Sequence, residues 1–145
     1  MSDILSVSQI KVPGTATSKD EAIREAGQIL VDTGAVTPAY VDAMFEREKS
    51  VSTYMGNYLA IPHGTNEAKD EITASALSVV RYDSPIDWDG NETRFVVGIA
   101  GYEGGHLEIL GKIAVIFSDT DEVDKMIAAG SADEVYELLN AVNEE

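Results

Sequence analysis

The chain contains only two histidines, and both stand where a short apolar segment gives way to glycine. His63 follows "NYLAIP" and precedes Gly64, whereas His106 follows "FVVGIAGYEGG". A neutral imidazole is a competent nucleophile near neutral pH, because the unperturbed pKa of histidine is about 6.5. Two histidines in a chain without cysteine indicate either phosphoryl exchange or metal binding. A purely structural, hydrogen-bonded histidine is the third interpretation of His63.

The residues around His63 favour an anionic ligand. Pro62 restricts the backbone on one side, and Gly64 permits a close approach on the other. "TNEAKDEI", which follows, is compatible with a helical turn whose positive end would attract an anion such as a phosphoryl group. A zinc site would need a third protein ligand, and no HxH or HxxxH spacing supplies one. We therefore predict no metal and no cofactor.

The elements that must position these histidines alternate between strands and helices. Alternation of apolar and polar residues predicts a first strand over "ILSVSQIKV", and Ser18 with Glu21 forms a capping box that opens a helix ending at Gly34. Thr37 followed by Pro38 predicts a second helix, "PAYVDAMFEREK", with Thr37 as its N-cap and Pro38 in its first turn. Its last turn carries Arg47, a cation suited to the negative end of the helix.

The second half of the chain continues this pattern. "NYLAIP", "TASALSVVRY" and "TRFVVGIAG" are predicted strands, and "SPIDWDGNE" a loop or hairpin. A helix is predicted from His106, and further helices over about 121–129 and from Ser131. The apolar face predicted for the helix from His106 comprises Leu107, Leu110, Ile113, Ala114 and Phe117. The pattern predicts one domain over residues 1–145 with an α/β (α+β) fold, in which helices cover both faces of a central mixed sheet of about five strands.

Composition excludes several classes of function. A formal charge of −16 repels phosphate backbones, so we expect no nucleic-acid partner. Apolar runs such as "IAVIF" are too short to cross a bilayer, and we expect no membrane insertion. The start "MSDILSVSQIKV" lacks the basic and long apolar regions of a secretory signal, which favours a cytoplasmic location.

The run "EKSVSTYMGNYLAIPHG" resembles the phosphorylation-site motif of the enzyme IIA components of the bacterial phosphoenolpyruvate-dependent sugar phosphotransferase system, mannitol/fructose class. The resemblance extends over "YVDAMFEREK", "GTNEAKDEI" and "VVGIAGYEGGHLEIL" and so covers nearly the whole chain. "EREK" and "GTNEAK" are closer to mannitol-type members than to the nitrogen-regulatory branch.

The resemblance implies a histidine phosphotransferase. His63 would accept a phosphoryl group from the phosphocarrier protein HPr and pass it to a cysteine of a IIB component, while His106 and Arg47 stabilise the group. The chain would be a stand-alone IIA, because it lacks a IIB cysteine and the membrane spans of a transporter. Gly105 departs from the family, which would place an acidic residue before His106; Glu103 is a candidate substitute.

Alternatives remain open at this point. Arg47 could be only a surface charge that complements the helix dipole, and His106 only a helix cap. The partners are expected to share an apolar patch, for which the candidates are Met55, Tyr58, Leu59 and Ile61, with core packing as the other interpretation. The alternative function is a regulatory IIA-like protein whose phosphorylation state is read by a transporter or a transcription regulator.

Overall fold

A computed structural model describes residues 4–102 and 106–143 of the chain. Within these residues the helices are α1 (Lys19–Asp32), α2 (Ala39–Ser50), α3 (His106–Phe117), α4 (Thr120–Ala128) and α5 (Ala132–Leu139). The strands are β1 (Ile10–Lys11), β2 (Tyr54–Gly56), β3 (Leu59–Ala60), β4 (Ala76–Trp88) and β5 (Asn91–Ala100). No helix in these residues is both long enough and apolar enough to span a bilayer.

The five strands form one mixed sheet in the order β1-β4-β5-β3-β2. β4 and β5 form a long antiparallel hairpin at its centre, closed by a turn in which Asp89 and Gly90 have positive φ angles. β1 joins the free edge of β4 in parallel, and β3 joins the free edge of β5 in parallel. β2 pairs antiparallel with β3 at the outer edge.

Helices cover both faces of the sheet, as predicted. One apolar core lies between the sheet and helices α1 and α2, where Ile23, Leu30 and Met44 are buried. The other lies between the sheet and helices α3 to α5, where Ile113, Met126 and Leu139 are buried. The central strands are apolar on both faces because both faces are covered. This arrangement leaves the ends of the strands as the places where a site can open.

Serine N-caps begin two helices where the sequence predicts capping boxes, but the Glu21 and Glu134 carboxylates accept from the Thr17 and Gly130 amides and not from the serine amides. The Ser18 hydroxyl accepts a hydrogen bond from the Glu21 amide at the start of α1, and Ser131 accepts one from the Glu134 amide at the start of α5. The predicted cap at Thr37 is wrong, because its hydroxyl donates to the Glu71 carboxylate 2.7 Å away instead. Thr37 therefore fixes the segment that follows His63 to the start of α2.

The predicted first strand over residues 4–12 is wrong over most of its length. Only Ile10–Lys11 is a strand, and a 3₁₀ turn over Val7–Gln9 precedes it. The buried Gln9 amide donates to the carbonyls of Ile4 and Leu77 and takes the place of ladder hydrogen bonds there. Alternating apolar residues do not distinguish this arrangement from a strand.

The apolar face predicted for α3 is correct only in part. Ile109, Ile113 and Phe117 face the core, one turn apart. Leu107 was predicted to share that face, but it is 70% exposed. The apolar residues of α3 allow two rotations of the helix about its axis. Packing against the sheet selects the rotation that leaves Leu107 exposed.

Candidate functional site

His63 lies just beyond the end of β3, beside the end of β5. The Ile99 amide donates to the Pro62 carbonyl at 3.1 Å, and His63 forms an isolated parallel bridge with Ile99. Because β3 and β5 are parallel neighbours, their carboxyl ends lie at the same edge of the sheet. His106 begins α3 shortly after β5 ends. The two strand-to-helix junctions that carry the histidines therefore lie at one edge, as the sequence predicts.

The half-buried imidazole of His63 is held by its own backbone. Its Nδ1 atom lies 2.8 Å from the carbonyl oxygen of Ile61. A carbonyl oxygen only accepts hydrogen bonds, so Nδ1 must carry the proton in this contact. In the neutral ring the lone pair then belongs to Nε2. The local backbone thus selects which nitrogen of His63 holds the proton and which one, in the neutral ring, has the basic lone pair.

A buried tyrosine holds the residue after His63. The hydroxyl of Tyr40, in the first turn of α2, accepts a hydrogen bond from the Gly64 amide at 2.9 Å. The same hydroxyl donates to the carbonyl of Ile99 at 2.7 Å. Burial raises the pKa of Tyr40 above its ordinary value, against the smaller opposite effect of the Gly64 amide. Tyr40 therefore remains a phenol that can serve both contacts.

Gly64 serves a different purpose from the one that the sequence suggests. We expected the missing side chain to give a ligand access. A Cβ atom at this position would instead lie 2.5 Å from Cε1 of Tyr40. The absence of a side chain therefore lets the backbone pack directly on the tyrosine ring.

The segment after His63 is a 3₁₀ helix over Asn66–Glu71, in agreement with the predicted short helix. The Ala68 amide donates to the Thr65 carbonyl at 3.1 Å. The Gly64 amide, next to His63, is bonded to the Tyr40 hydroxyl. The attraction of an anion to the start of the helix at Asn66 stays a prediction.

Arg47 lies in the last turn of α2. Its Nη1 atom donates to the Val51 carbonyl at 2.9 Å. Two residues further on, the Thr53 carbonyl accepts a hydrogen bond from the Ile61 amide at 3.0 Å. The Ile61 carbonyl in turn contacts the imidazole of His63. Arg47 is therefore linked to His63 through the backbone of residues 51–53 and then of Ile61.

Glu48, next to Arg47, is a buried carboxylate that the sequence analysis missed. It accepts hydrogen bonds from the amide and hydroxyl of Thr53, at 2.9 Å and 2.5 Å, and from the indole of Trp88 at 3.1 Å. The ammonium of Lys19 lies 3.3 Å away and supplies the compensating charge. A Glu among charged residues in a last helical turn resembles a surface residue, so no sequence signal marks it. The contacts of Glu48 hold Thr53, whose carbonyl accepts the hydrogen bond from the Ile61 amide.

The His106 side chain, Glu103 and Gly105 lie outside the part of the chain that the structure describes. The predicted meeting of the two imidazoles and the predicted substitution by Glu103 therefore stay predictions. In residues 4–102 and 106–143, no three His, Asp or Glu side chains come together in a way that could hold a metal ion.

The predicted apolar patch divides in two. Leu59 and Ile61 are buried in the core, so the core-packing interpretation is correct for them. Met55 and Tyr58 are exposed on the β2–β3 hairpin. On α3, Leu107 and Val115 are exposed, eight residues and so about 80° apart around the helix axis. Leu107 is next to His106, whereas Val115 lies near the other end of α3, where the Asn57 amide of the hairpin donates to the Phe117 carbonyl.

Comparison with known proteins agrees with this geometry. The chain is 55% identical over 141 residues to the mannitol-specific phosphotransferase enzyme IIA component of Halalkalibacterium halodurans, a match that covers 97% of each protein. It is 48% identical over 139 residues to the enzyme of the same description from Staphylococcus aureus, with 96% of each covered.

Solved structures share the fold. The crystal structure of IIA mannitol from Escherichia coli matches with a TM-score of 0.86 and 36% identity, over 93% of this chain and 98% of that one. A complex of enzyme IIA and phosphorylated enzyme IIB of the mannitol system from Escherichia coli matches with a TM-score of 0.87 and 35% identity, over 93% of this chain and 96% of that one. The family model for the phosphoenolpyruvate-dependent sugar phosphotransferase system, EIIA 2, matches residues 3–142, and the chain therefore belongs to that family.

Proposed function

We propose that the chain is a single cytoplasmic phosphocarrier domain that accepts a phosphoryl group from HPr on Nε2 of His63 and passes it to a cysteine of a mannitol-type IIB component. The observation that carries the proposal is the 2.8 Å contact between Nδ1 and the Ile61 carbonyl. It orients the ring and places the proton on Nδ1, so that in the neutral ring the other nitrogen is the nucleophilic one. The mannitol-specific relatives and the structural match to a complex with phosphorylated IIB support the assignment of substrate class and partner.

The chemistry follows from this tautomer. The Nε2 lone pair attacks phosphorus, and the bond from phosphorus to the donor breaks as its electron pair returns to the donor. The ring then carries a phosphoryl group on Nε2 and still holds its proton on Nδ1, so it gains positive charge. The Ile61 carbonyl stabilises that charge because hydrogen bonds to charged donors are stronger. In the onward step a thiolate attacks phosphorus, and the Nε2–P electron pair returns to the ring.

Charge on the phosphoryl oxygens requires cationic or hydrogen-bonding groups in the transition state. We assign this role to Arg47 and His106. Arg47 is tethered to Val51, in the segment that leads to the support of His63. His106 begins α3 at the edge of the sheet where β3 and β5 end. Its imidazole would donate a hydrogen bond to the transferred group.

Transfer in both directions requires interfaces that form and separate quickly. We assign docking of HPr and IIB to the exposed apolar side chains of α3 and the β2–β3 hairpin: Leu107, next to His106, and, further from the site, Met55, Tyr58 and Val115. Apolar contacts allow a strongly acidic chain to bind either partner without relying on a fixed pair of charges. A shared face also ensures that the protein binds its donor and acceptor one at a time.

The test is intact-mass analysis after incubation with phosphoenolpyruvate, enzyme I and HPr. Wild type should gain one acid-labile phosphoryl group, and His63→Ala should gain none. His106→Ala is the matched control, since it also removes an imidazole at this edge of the sheet; it should gain the group more slowly. An unmodified wild type in the presence of active HPr would refute the relay. A phosphorylated form that a mannitol-type IIB cannot discharge would instead favour the regulatory alternative.

A further inference from the structure

Ile99 anchors the backbone on both sides of His63. Its amide donates to the Pro62 carbonyl, on the N-terminal side of the histidine. Its carbonyl accepts from the Tyr40 hydroxyl, which in turn accepts from the Gly64 amide on the C-terminal side. One strand residue and one phenol thus close a ring of hydrogen bonds around the histidine.

The phenol in this ring has little freedom to move. Tyr40 is 3% exposed and packs in the core between the sheet and helices α1 and α2. Its hydroxyl uses its single proton toward Ile99 and a lone pair toward Gly64. The flat face that Gly64 leaves open lets the ring lie against the backbone without a gap. Tyr40 therefore fixes the position of the Gly64 amide relative to β5.

The position of this backbone decides the state of the imidazole. Nδ1 of His63 reaches the Ile61 carbonyl across only two residues, so a small shift of residues 61–64 would change that contact. Loss of the Tyr40 hydroxyl would leave the Gly64 amide and the Ile99 carbonyl without their partner in a buried place, which is costly. The backbone would relax to recover hydrogen bonds elsewhere and would alter the orientation of the ring.

We propose that Tyr40 is a positioning residue for phosphoryl transfer, which acts through the backbone of residues 61–64 to keep the proton of His63 on Nδ1 and to present Nε2. This inference rests on the proposed function of His63. The Tyr40 hydroxyl bonds to the backbone of Ile99 and of Gly64, so its effect on the imidazole is transmitted through the backbone.

The test compares Tyr40→Phe with Tyr82→Phe. Tyr82 is the matched control because it is equally buried, at 2% exposure, and its hydroxyl also makes a short hydrogen bond, 2.6 Å to Glu25. Three quantities are measured: the rate of His63 phosphorylation by phosphorylated HPr, the Nδ1–H fraction of His63 by ¹⁵N NMR of the imidazole, and the unfolding midpoint in urea. NMR of the unphosphorylated protein needs no transfer reaction.

Tyr40→Phe should slow phosphorylation about tenfold, because small errors in position are costly to transfer reactions. It should also lower the Nδ1–H fraction. Tyr82→Phe should shift the unfolding midpoint and leave both the rate and the Nδ1–H fraction at the wild-type values. If Tyr40→Phe does not fold, Gly64→Ala displaces the same phenol from the same amide and should lower the Nδ1–H fraction in its place.

Two results would overturn the inference. An unchanged Nδ1–H fraction in the Tyr40 variant would show that the phenol does not set the tautomer, whatever the rate. An unchanged rate with a lowered fraction would show that the tautomer does not matter for transfer. If wild type takes no phosphoryl group but Tyr40→Phe lowers the Nδ1–H fraction, the proposed function fails while the control of the imidazole by Tyr40 stands.

Discussion

Two buried tyrosines on the same face of the sheet have different surroundings. Tyr40 packs on the backbone of Gly64, and Tyr82 packs on that of Gly14; at both positions a Cβ atom would overlap the ring. The Tyr40 hydroxyl bridges two backbone groups beside His63. The Tyr82 hydroxyl donates to the carboxylate of Glu25. The same pairing of tyrosine and glycine therefore occurs once at the site and once away from it.

The pair of Tyr82 and Gly14 adjoins a cluster of polar and charged groups around the carboxylate of Glu25. Glu25 also accepts from Lys11 at 2.7 Å and from the amide and hydroxyl of Thr15 at 3.0 Å and 2.8 Å. Burial alone would raise the pKa of Glu25, but the hydrogen bonds from Lys11, Tyr82 and Thr15 outweigh it and lower the pKa to about 2. Burial and the neighbouring Glu25 raise the pKa of Tyr82. This cluster joins α1 to β1 and β4, so its role is to hold the sheet edge.

The difference shows how one packing motif can serve two purposes. A phenol that contacts a charged carboxylate contributes mainly to stability, since both partners are side chains fixed by other bonds. A phenol that contacts only backbone groups sets the path of the chain. Mutations that separate stability from transfer rate can test this division.

The largest expected effect is on the rate of transfer at the His63 end. Arg47→Ala should slow phosphorylation of His63 about a hundredfold, the usual cost of losing a donor that stabilises charge in the transition state. The rate is measured by quenching the phosphorylation reaction at successive times and determining the phosphorylated fraction by intact mass. Arg94→Ala is the control, because Arg94 also donates to a carbonyl, that of Asp83 at 2.8 Å. Equal rates in the two variants would remove Arg47 from the site.

The next effect is on stability at the Glu25 end. Glu25→Gln should lower the free energy of unfolding by about 2 kcal/mol at pH 7 and leave the transfer rate unchanged. The folded pKa lies below the ordinary value of 4.5, so the contribution of the carboxylate is complete above about pH 4.5 and is lost as the pH falls toward 2. Urea unfolding at pH 7 and pH 3 should therefore give a smaller difference between wild type and variant at pH 3. Glu137→Gln, at an exposed position on α5, should behave as wild type at both pH values.

The smallest effect compares the glycines directly. Gly14→Ala and Gly64→Ala should each lower the free energy of unfolding by about 1 to 2 kcal/mol, because the added methyl group overpacks a tyrosine ring. Only Gly64→Ala should also slow phosphorylation of His63. Thermal unfolding together with the transfer assay checks both statements, and a slow Gly14→Ala variant would contradict the division between the two pairs.

Much of the fold could be predicted because its signals are local. The helix caps at Ser18 and Ser131 bond to the amide three residues further along the chain, so the sequence alone contains both partners. The continuous apolar run of β5 indicates that both of its faces are buried. The short strand β2 was not predicted because three residues are too few to show an alternation of apolar and polar side chains. The side-chain amide of Gln9 takes the place of backbone hydrogen bonds between strands, and its acceptor, the Leu77 carbonyl, is far away in the sequence.

The site shows the same limit. The sequence singles out His63 as a candidate because proline, histidine and glycine are adjacent there. Tyr40 could not be singled out, since helical periodicity indicates only that it faces inward and its partner Ile99 lies on a distant strand. Glu48 was missed because its burial depends on Trp88 and Lys19, which come from two other elements.

The bridge between His63 and Ile99 also sets an order on the assembly of the protein during synthesis. β3 precedes β5 in the chain and pairs with β2 on one edge, but its other edge pairs with β5, and the ring of hydrogen bonds around the histidine closes on Ile99 near the end of β5. A nascent chain that has exposed His63 but not yet β5 lacks that ring of hydrogen bonds. The proposed nucleophile is therefore held on both sides only after the centre of the sheet has formed, so on the proposed function the ability to carry a phosphoryl group comes late in folding.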